Sequence, residues 1–215
     1  MNKRIGKQTV KLQNPISIIS SANVVGQKEG EGPLSDYFDI IMEDAEWGED
    51  TWEKTESKMQ HDTVSRAISN ASLSPSDIDY ILAGDLLNQC ISSSFGLRDL
   101  NIPFFGVYGA CSTMAETISL GSMLIDGGFA KNIVCVTSSH FCTAERQYRL
   151  PLEYGGQRPP TAQWTVTGSG SVVLSSSEKG PFITHITTGK ILDMGIKDAN
   201  NMGAAMAPVS VKLTP

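Results

Sequence analysis

The chain has 215 residues, of which 40% are hydrophobic and 19% are charged, and its formal net charge is −6. This acidic balance argues against sequence-independent nucleic-acid binding, which needs an excess of lysine and arginine along one face. No apolar run reaches the length of a membrane span, and no apolar core follows the basic start MNKRIGKQTVKLQNP. The sequence therefore predicts a soluble protein without a signal peptide or transmembrane segment.

The first part of the chain predicts a strand, a long helix and a second strand. Residues 15–21 are an apolar run typical of a buried strand, and residues 51–71 carry apolar side chains at helical spacing. A turn follows at residues 74–77, and residues 80–83 are again continuously apolar. Thr51 is in place to cap the helix.

The same alternation continues to the end of the chain. Strands that are apolar throughout and separated by helices favour a three-layer α/β fold with a mostly parallel sheet and helices on both faces. The predicted elements are a helix at 86–97, a strand at 102–108, a helix at 112–124, a strand at 132–137, a polar loop at 138–168, and strands at 170–175 and 182–188.

The run GACSTMAET places Cys111 between an apolar strand and a helix. Thr113 and Glu116 have the spacing of a capping box, which puts the helix start within two residues of the thiol. Unpaired N–H groups at such a start stabilise a thiolate or an anion. Free cysteine is also among the most buried residue types, so a reactive and a structural Cys111 both stay open. Cys135, in the middle of a strand, is predicted to be core.

The other cysteines, Cys90 and Cys142, lack the setting of Cys111. The four cysteines form no CxxC pair and show no zinc-like spacing to a histidine, which favours free thiols in a reducing compartment and predicts no metal site.

Several motifs carry a resemblance to known proteins. The run YGACSTMAET with LIDGGFAKNIVCVTSS, and the later TVTGSGSVVLSS, resemble the thiolase and β-ketoacyl synthase superfamily. With DIDYILAGDLLNQ, DMGIKDANNMGAAMAP and above all SSHFCTAERQYRLPLEYGGQRP, the whole chain resembles the stage V sporulation protein AD family of spore-forming Gram-positive bacteria.

The resemblance implies the first half of a two-half, thiolase-like fold around a mostly parallel five-stranded sheet. Residues 1–190 would form that half and residues 191–215 the start of a second, truncated half. It further implies a homodimer, for which the strand at 132–137 is the expected edge.

The resemblance also implies a function. Such a protein would bind dipicolinic acid (pyridine-2,6-dicarboxylate) or its calcium complex in the thiolase-like pocket. It would support transport of that ligand into the forespore and its release on germination, together with membrane proteins of the same complex at the spore inner membrane. No cofactor is implied beyond calcium carried with the ligand, and no enzymatic activity. The alternative is an acyltransferase or condensing enzyme that uses Cys111 as nucleophile.

The candidate ligand-binding residues surround the predicted carboxyl ends of the strands. Three of the six arginines fall between positions 146 and 158, and a guanidinium matches a planar carboxylate. These arginines could instead pair with acidic neighbours, His140 could be structural, and the glycine-rich turn at 165–170 could be only a turn. One carboxylate is too few for a calcium cage. The predicted ligand-binding residues are Asp85, Asn88, Cys111, His140, Arg146, Arg149, Thr167 and Gly168.

Overall fold

A computed structural model describes residues 3–148, 164–177, 179–197, 203–204 and 206–207. By the density of its contacts the chain divides into two compact units. The larger unit comprises residues 14–184, and the smaller comprises residues 1–13 and 185–215. The boundary expected near residue 190 concerns a second half and stays a prediction.

Strands and helices alternate along the described residues, as the sequence predicts. The strands are β1 Arg4–Ile5, β2 Thr9–Val25, β3 Ile40–Ile41, β4 Tyr80–Gly84, β5 Phe104–Gly106, β6 Asn132–Ser139, β7 Gly168–Ser175 and β8 Phe182–Thr187. The helices are α1 Gln27–Gly30, α2 Trp52–Asn70, α3 Ile91–Leu97, α4 Thr113–Asp126 and α5 Phe141–Tyr148.

Five strands of the larger unit follow one another in the sheet in the order β2-β7-β6-β4-β5, and β3 pairs in parallel with the end of β2. β4 is parallel to both β5 and β6, whereas β7 is antiparallel to β6 and to β2. Four of the five strands therefore share one direction, and the expected mostly parallel sheet is confirmed. In the smaller unit, β1 pairs antiparallel with the start of β2.

Helices cover both faces of this sheet. Val134 and Val136 of β6 belong to one apolar cluster with Val64 and Ala67 of α2. The alternate residue Cys135 faces α4, where its thiol donates to the carbonyl of Thr117 at 3.3 Å. Because side chains alternate along a strand, β6 is apolar on both faces, and each buried Val or Ile stabilises the fold by about 1.5–3 kcal/mol.

The predicted cap of α2 is present, since the Thr51 hydroxyl accepts a hydrogen bond from the Lys54 N–H at 3.3 Å. The predicted turn at 74–77 is a single 3₁₀ turn in which Ser74 and Asp77 form a capping box.

Two expectations are wrong. The polar loop predicted for residues 138–168 begins instead with the end of β6 and with helix α5. The sequence FCTAERQY alternates polar and apolar residues at helical spacing, and that periodicity outweighs its polar composition.

The strand at 132–137 is also not a dimer edge. β6 pairs with β4 on one side and with β7 on the other, so its backbone groups are already used. Among the described strands, β5 pairs on one side only, with β4, and its Phe104 and Phe105 are exposed.

Candidate functional site at the carboxyl edge of the sheet

The predicted site residues come from segments that meet at one edge of the sheet. Strands β4, β5 and β6 are parallel and end there, and antiparallel β7 begins there. Ligand sites of open α/β sheets lie at this edge. Asp85 and Asn88 follow β4, Cys111 follows β5, and His140 and Arg146 follow β6; Thr167 and Gly168 lie at the start of β7. Arg149 lies outside the described residues.

Cys111 occupies a 3₁₀ turn, Ala110–Ser112, between β5 and α4, and its side chain is exposed. The helix starts two residues later, at Thr113, as predicted. The predicted capping box does not form, because Thr113 already lies within the helix and its hydroxyl accepts from the Gly109 N–H at 3.1 Å. The turn thus presents a thiol to solvent at the start of a 14-residue helix.

A close backbone approach fixes this turn against the sheet. Gly84, the last residue of β4, lies against the carbonyl of Val107 and the side chain of Thr113, and a Cβ at Gly84 would overlap both. The Val107 N–H donates to the Ala83 carbonyl at 2.8 Å. The position of the Cys111 turn therefore depends on a glycine at the end of the neighbouring strand.

Asn88 and Arg146 line one cavity of about 580 Å³, within the range of about 300–1,000 Å³ typical of ligand pockets. Arg146 forms an ion pair with Glu53 of α2, and its guanidinium lies 5.8 Å from the centre of the Trp52 ring. The Arg146 side chain is 48% exposed, so its remaining donors can reach the cavity. We call this the Asn88–Arg146 cavity. Its lining residues are Glu53, Leu87, Asn88, Gln89, Ile91, Thr143, Arg146 and Gln147.

The loop that forms one wall of this cavity holds unusual backbone conformations. Gln89 and Cys90 both have positive φ angles, of 62° and 51°, although neither is glycine. Such residues cost about 1–3 kcal/mol each, and they concentrate at functional sites. This strain supports a functional role for the loop after β4.

Asp85 and His140 lie at this edge of the sheet, but their polar atoms already form hydrogen bonds within the protein. The Asp85 carboxylate accepts hydrogen bonds from the Leu87 N–H at 2.9 Å and from the Ser93 N–H and hydroxyl at 2.8 and 2.6 Å. It holds the start of α3, which is a structural role.

The His140 ring has both nitrogens bonded to the backbone. Nδ1 accepts from the Cys142 N–H at 3.2 Å, so Nε2 carries the proton and donates to the Ala45 carbonyl at 2.8 Å. Burial lowers the pKa of this imidazole. The geometry favours the structural interpretation of His140, as a neutral ring stacked on Trp52.

Thr167 and Gly168 lie away from the Asn88–Arg146 cavity. Thr167 lines a separate cavity of about 200 Å³ together with His140, Trp164 and Lys28. Its hydroxyl accepts from the Phe141 N–H at 2.9 Å, and Gly168 pairs with Ser139 and Val25 in the sheet. Of the predicted residues, Asn88 and Arg146 line one cavity, His140 and Thr167 line another, and Cys111 lies on its exposed turn.

A buried chain of polar side chains lies behind the Asn88–Arg146 cavity, and the sequence analysis missed it. Glu56 of α2 is fully buried and accepts from the Ser138 hydroxyl at 2.7 Å and the Thr143 hydroxyl at 2.9 Å. The Gln60 amide donates to Ser138 at 2.7 Å and to Ser93 at 2.9 Å. Through Ser93 the chain reaches Asp85, so it connects the loop after β4 with α5.

Burial raises the pKa of the Glu56 carboxyl to about 7, with a further contribution from the negative charge of Asp85, although the hydrogen bonds from Ser138 and Thr143 oppose the shift. The signal for this group is present in the sequence. Glu56, Gln60 and Thr63 fall at helical spacing within the apolar stripe of α2, where a polar residue must find a partner.

Neither metal ligands nor a membrane helix stand out in the part of the chain that the structure describes. Within it, no group of three or more His, Cys, Asp or Glu side chains is arranged to hold a metal ion. None of its helices is long and apolar enough to cross a membrane.

Comparison with known proteins identifies the family. The family model described as stage V sporulation protein AD matches residues 6–214. The chain is 47% identical over 208 residues to the stage V sporulation protein AD of Bacillus subtilis (strain 168). That match covers 97% of this chain and 62% of the relative, so the chain spans less than two thirds of the relative's length.

Solved structures support the fold. The chain is similar to cerulenin-bound OleA of Xanthomonas campestris, with a TM-score of 0.61 and 11% identity over 93% of this chain and 69% of that one. It is also similar to 3-oxoacyl-[acyl-carrier-protein] synthase III of Aquifex aeolicus VF5, with a TM-score of 0.53 and 18% identity over 76% and 55%. These likenesses confirm the thiolase-like fold. The family-model match over residues 6–214 and the 47% identity to the relative show that the chain belongs to the stage V sporulation protein AD family.

Proposed function

We propose that this sporulation protein binds dipicolinic acid, free or as its calcium complex, in the Asn88–Arg146 cavity. In this role it supports transport of the ligand into the forespore and its release on germination. The family membership supports the sporulation role. The single observation that carries the ligand proposal is a cavity that combines a cation, an amide and an apolar wall.

Each part of the cavity matches part of the ligand. The Arg146 guanidinium has donors left over from its ion pair with Glu53, and one carboxylate of the ligand accepts from them. Asn88 offers an amide to the second carboxylate, while Leu87 and Ile91 supply an apolar wall for the pyridine ring.

The experiment is calorimetric titration of the purified protein with pyridine-2,6-dicarboxylate. Arg146→Ala is expected to weaken binding at least about tenfold, which corresponds to about 1.4 kcal/mol for the loss of a charge-assisted hydrogen bond. Arg98→Ala is the matched control, because Arg98 is an exposed arginine that pairs with Asp99 outside the cavity. Unchanged affinity in Arg146→Ala would contradict this binding mode.

A second candidate function is acyl transfer through Cys111. The observation that favours it is the exposed thiol at the start of α4 in a fold shared with condensing enzymes. Against it, His140 has both nitrogens occupied and is not free to accept the thiol proton. An added acyl mass on Cys111 after incubation with acyl-coenzyme A would favour this function over ligand binding.

We further propose that the protein acts as a homodimer, peripheral to the spore inner membrane, with membrane proteins of the same complex as partners. Because β6 is paired on both sides, we place the contact between copies at β5, which among the described strands pairs only with β4. Phe105→Glu is expected to shift the sedimentation coefficient toward that of a monomer, and an unchanged coefficient would argue against this edge.

A further inference from the structure

The two walls of the Asn88–Arg146 cavity are joined underneath by the buried polar chain. One wall is the loop after β4, which Asp85 and Ser93 hold in place. The other is α5, whose Thr143 both lines the cavity and donates to Glu56. Glu56 therefore lies one hydroxyl group away from the cavity, behind Thr143.

The hydrogen bonds around Thr143 suit two protonation states of Glu56. The Thr143 oxygen lies 2.9 Å from Glu56 Oε2 and 3.0 Å from the His140 carbonyl, but a hydroxyl has one proton to donate. When Glu56 is ionised, Thr143 donates to the carboxylate. When Glu56 is protonated, its O–H donates to Thr143, which then donates to the His140 carbonyl.

Other ionisable groups lie on the elements that pack around Glu56. They include Glu53, Asp85, Cys90, His140, Cys142, Glu145 and Arg146.

Arg146 is paired with Glu53, and Asp85 is held by three hydrogen bonds. Burial raises the pKa of the Cys90 and Cys142 thiols and lowers the pKa of the His140 imidazole, which favours the neutral form of each. Because the pKa of the Glu56 carboxyl is about 7, a small change in the electrostatic potential around it is enough to change its charge near neutral pH.

We infer that Glu56, acting from behind Thr143, couples the binding of a dicarboxylate anion in the Asn88–Arg146 cavity to the uptake of a proton. The negative charge of the incoming ligand disfavours a second negative charge behind Thr143, so Glu56 takes a proton from solvent as the ligand binds. Affinity therefore rises as the pH falls through neutrality. This inference rests on the proposed function and adds its regulation.

The test is calorimetric titration with pyridine-2,6-dicarboxylate at about one pH unit below and one above neutrality, in two buffers of different ionisation enthalpy. Wild-type protein is expected to bind up to about tenfold more weakly at the higher pH, as a shift of one pKa unit on binding requires. The heat is expected to differ between the buffers by the amount that net proton uptake predicts.

Glu56→Gln keeps the shape of the side chain and removes its charge, so its affinity is expected to be independent of pH and its binding free of proton uptake. Thr143→Val removes the hydroxyl that connects Glu56 to the cavity, and it is expected to reduce the pH dependence without altering the surface charge. Glu31→Gln, an exposed substitution outside the cavity, is the matched control and should keep the wild-type behaviour.

The outcomes separate the two proposals. If Glu56→Gln is folded, binds the ligand and keeps the wild-type pH dependence, the coupling is wrong and the proposed function stands. If folded wild-type protein shows no binding at either pH, the proposed function fails and the coupling fails with it.

Discussion

The Cys111 turn and the Glu56 chain lie at the same edge of the sheet and differ in almost every physical respect. The Cys111 side chain is exposed, and its turn is placed by backbone contacts around Gly84. The Glu56 carboxyl is fully buried, and side-chain hydroxyls hold both of its oxygens.

The comparison shows that the residue with the most recognisable motif is not the one under the strongest electrostatic constraint. Water can solvate an exposed thiol in either protonation state, whereas a buried carboxyl must be neutral or have hydrogen-bond partners. Four measurements test the contrast between these two regions.

The largest effect is expected in thiol chemistry. Burial raises the pKa of the Cys135 thiol to about 12 from 9.0, which lowers its thiolate fraction about a thousandfold. Cys111 should therefore be alkylated first and Cys135 only on unfolding, as followed by mass spectrometry. Cys111→Ser should remove the fast phase, and modification of Cys135 at the same rate as Cys111 would contradict its burial.

The second effect concerns the pH dependence of stability. The folded-state pKa of Glu56 is raised to about 7, so the folded state holds a proton that the unfolded state has already released. Stability is expected to fall by up to about 3 kcal/mol as the pH rises from about 4.5 to about 7, and then to level off.

Urea unfolding at a series of pH values measures this loss of stability. Glu56→Gln should remove most of the decline and be the more stable protein at alkaline pH. A parallel decline in wild type and variant would assign it to other groups.

The third effect concerns the support of the Cys111 turn. Gly84→Ala places a methyl group against the Val107 carbonyl and the Thr113 side chain, and is expected to lower the free energy of unfolding by about 1–3 kcal/mol. Denaturant unfolding measures the loss, and Gly170→Ala is the matched control, because a Cβ at Gly170 meets nothing within 4 Å. Equal stability of the two variants would show that the turn tolerates displacement.

The smallest effect concerns the helix that carries Glu56. Thr51→Ala removes the hydroxyl that caps α2 and is expected to cost about 1 kcal/mol. Thr51→Ser keeps the acceptor and should restore most of the stability, as read from the thermal midpoint. Failure of serine to do so would indicate that the methyl group, and not the cap, carries the effect.

Much of the fold could be predicted from local pattern. Continuous apolar runs predicted β4, β6 and β7, and helical spacing with Thr51 predicted α2. Helix α5 was missed because its polar composition suggested a loop, although its periodicity is helical. The mistaken dimer edge has a different cause: an apolar strand shows burial, but not which of its two sides has a neighbour.

The candidate site was predicted in part. Asn88 and Arg146 line one cavity, as a shared anion site requires, because both follow strands that end at the same edge. Thr167 lies in a different cavity. Asp85 and His140 make hydrogen bonds to neighbouring residues of the protein instead of lining the Asn88–Arg146 cavity. Arg149 and the block around it lie outside the described residues, so its place at the site stays a prediction.

By itself, the sequence determined the α/β class, the family and the start of a helix just after Cys111, because periodicity and motifs are local properties of the chain. The tertiary structure alone decided that Glu56, Ser138 and Thr143 meet, since these residues lie up to 87 positions apart and only the packing of α2 against β6 and α5 joins them. The pKa of Glu56 depends on that packing, because burial and nearby charge act through space and not along the chain.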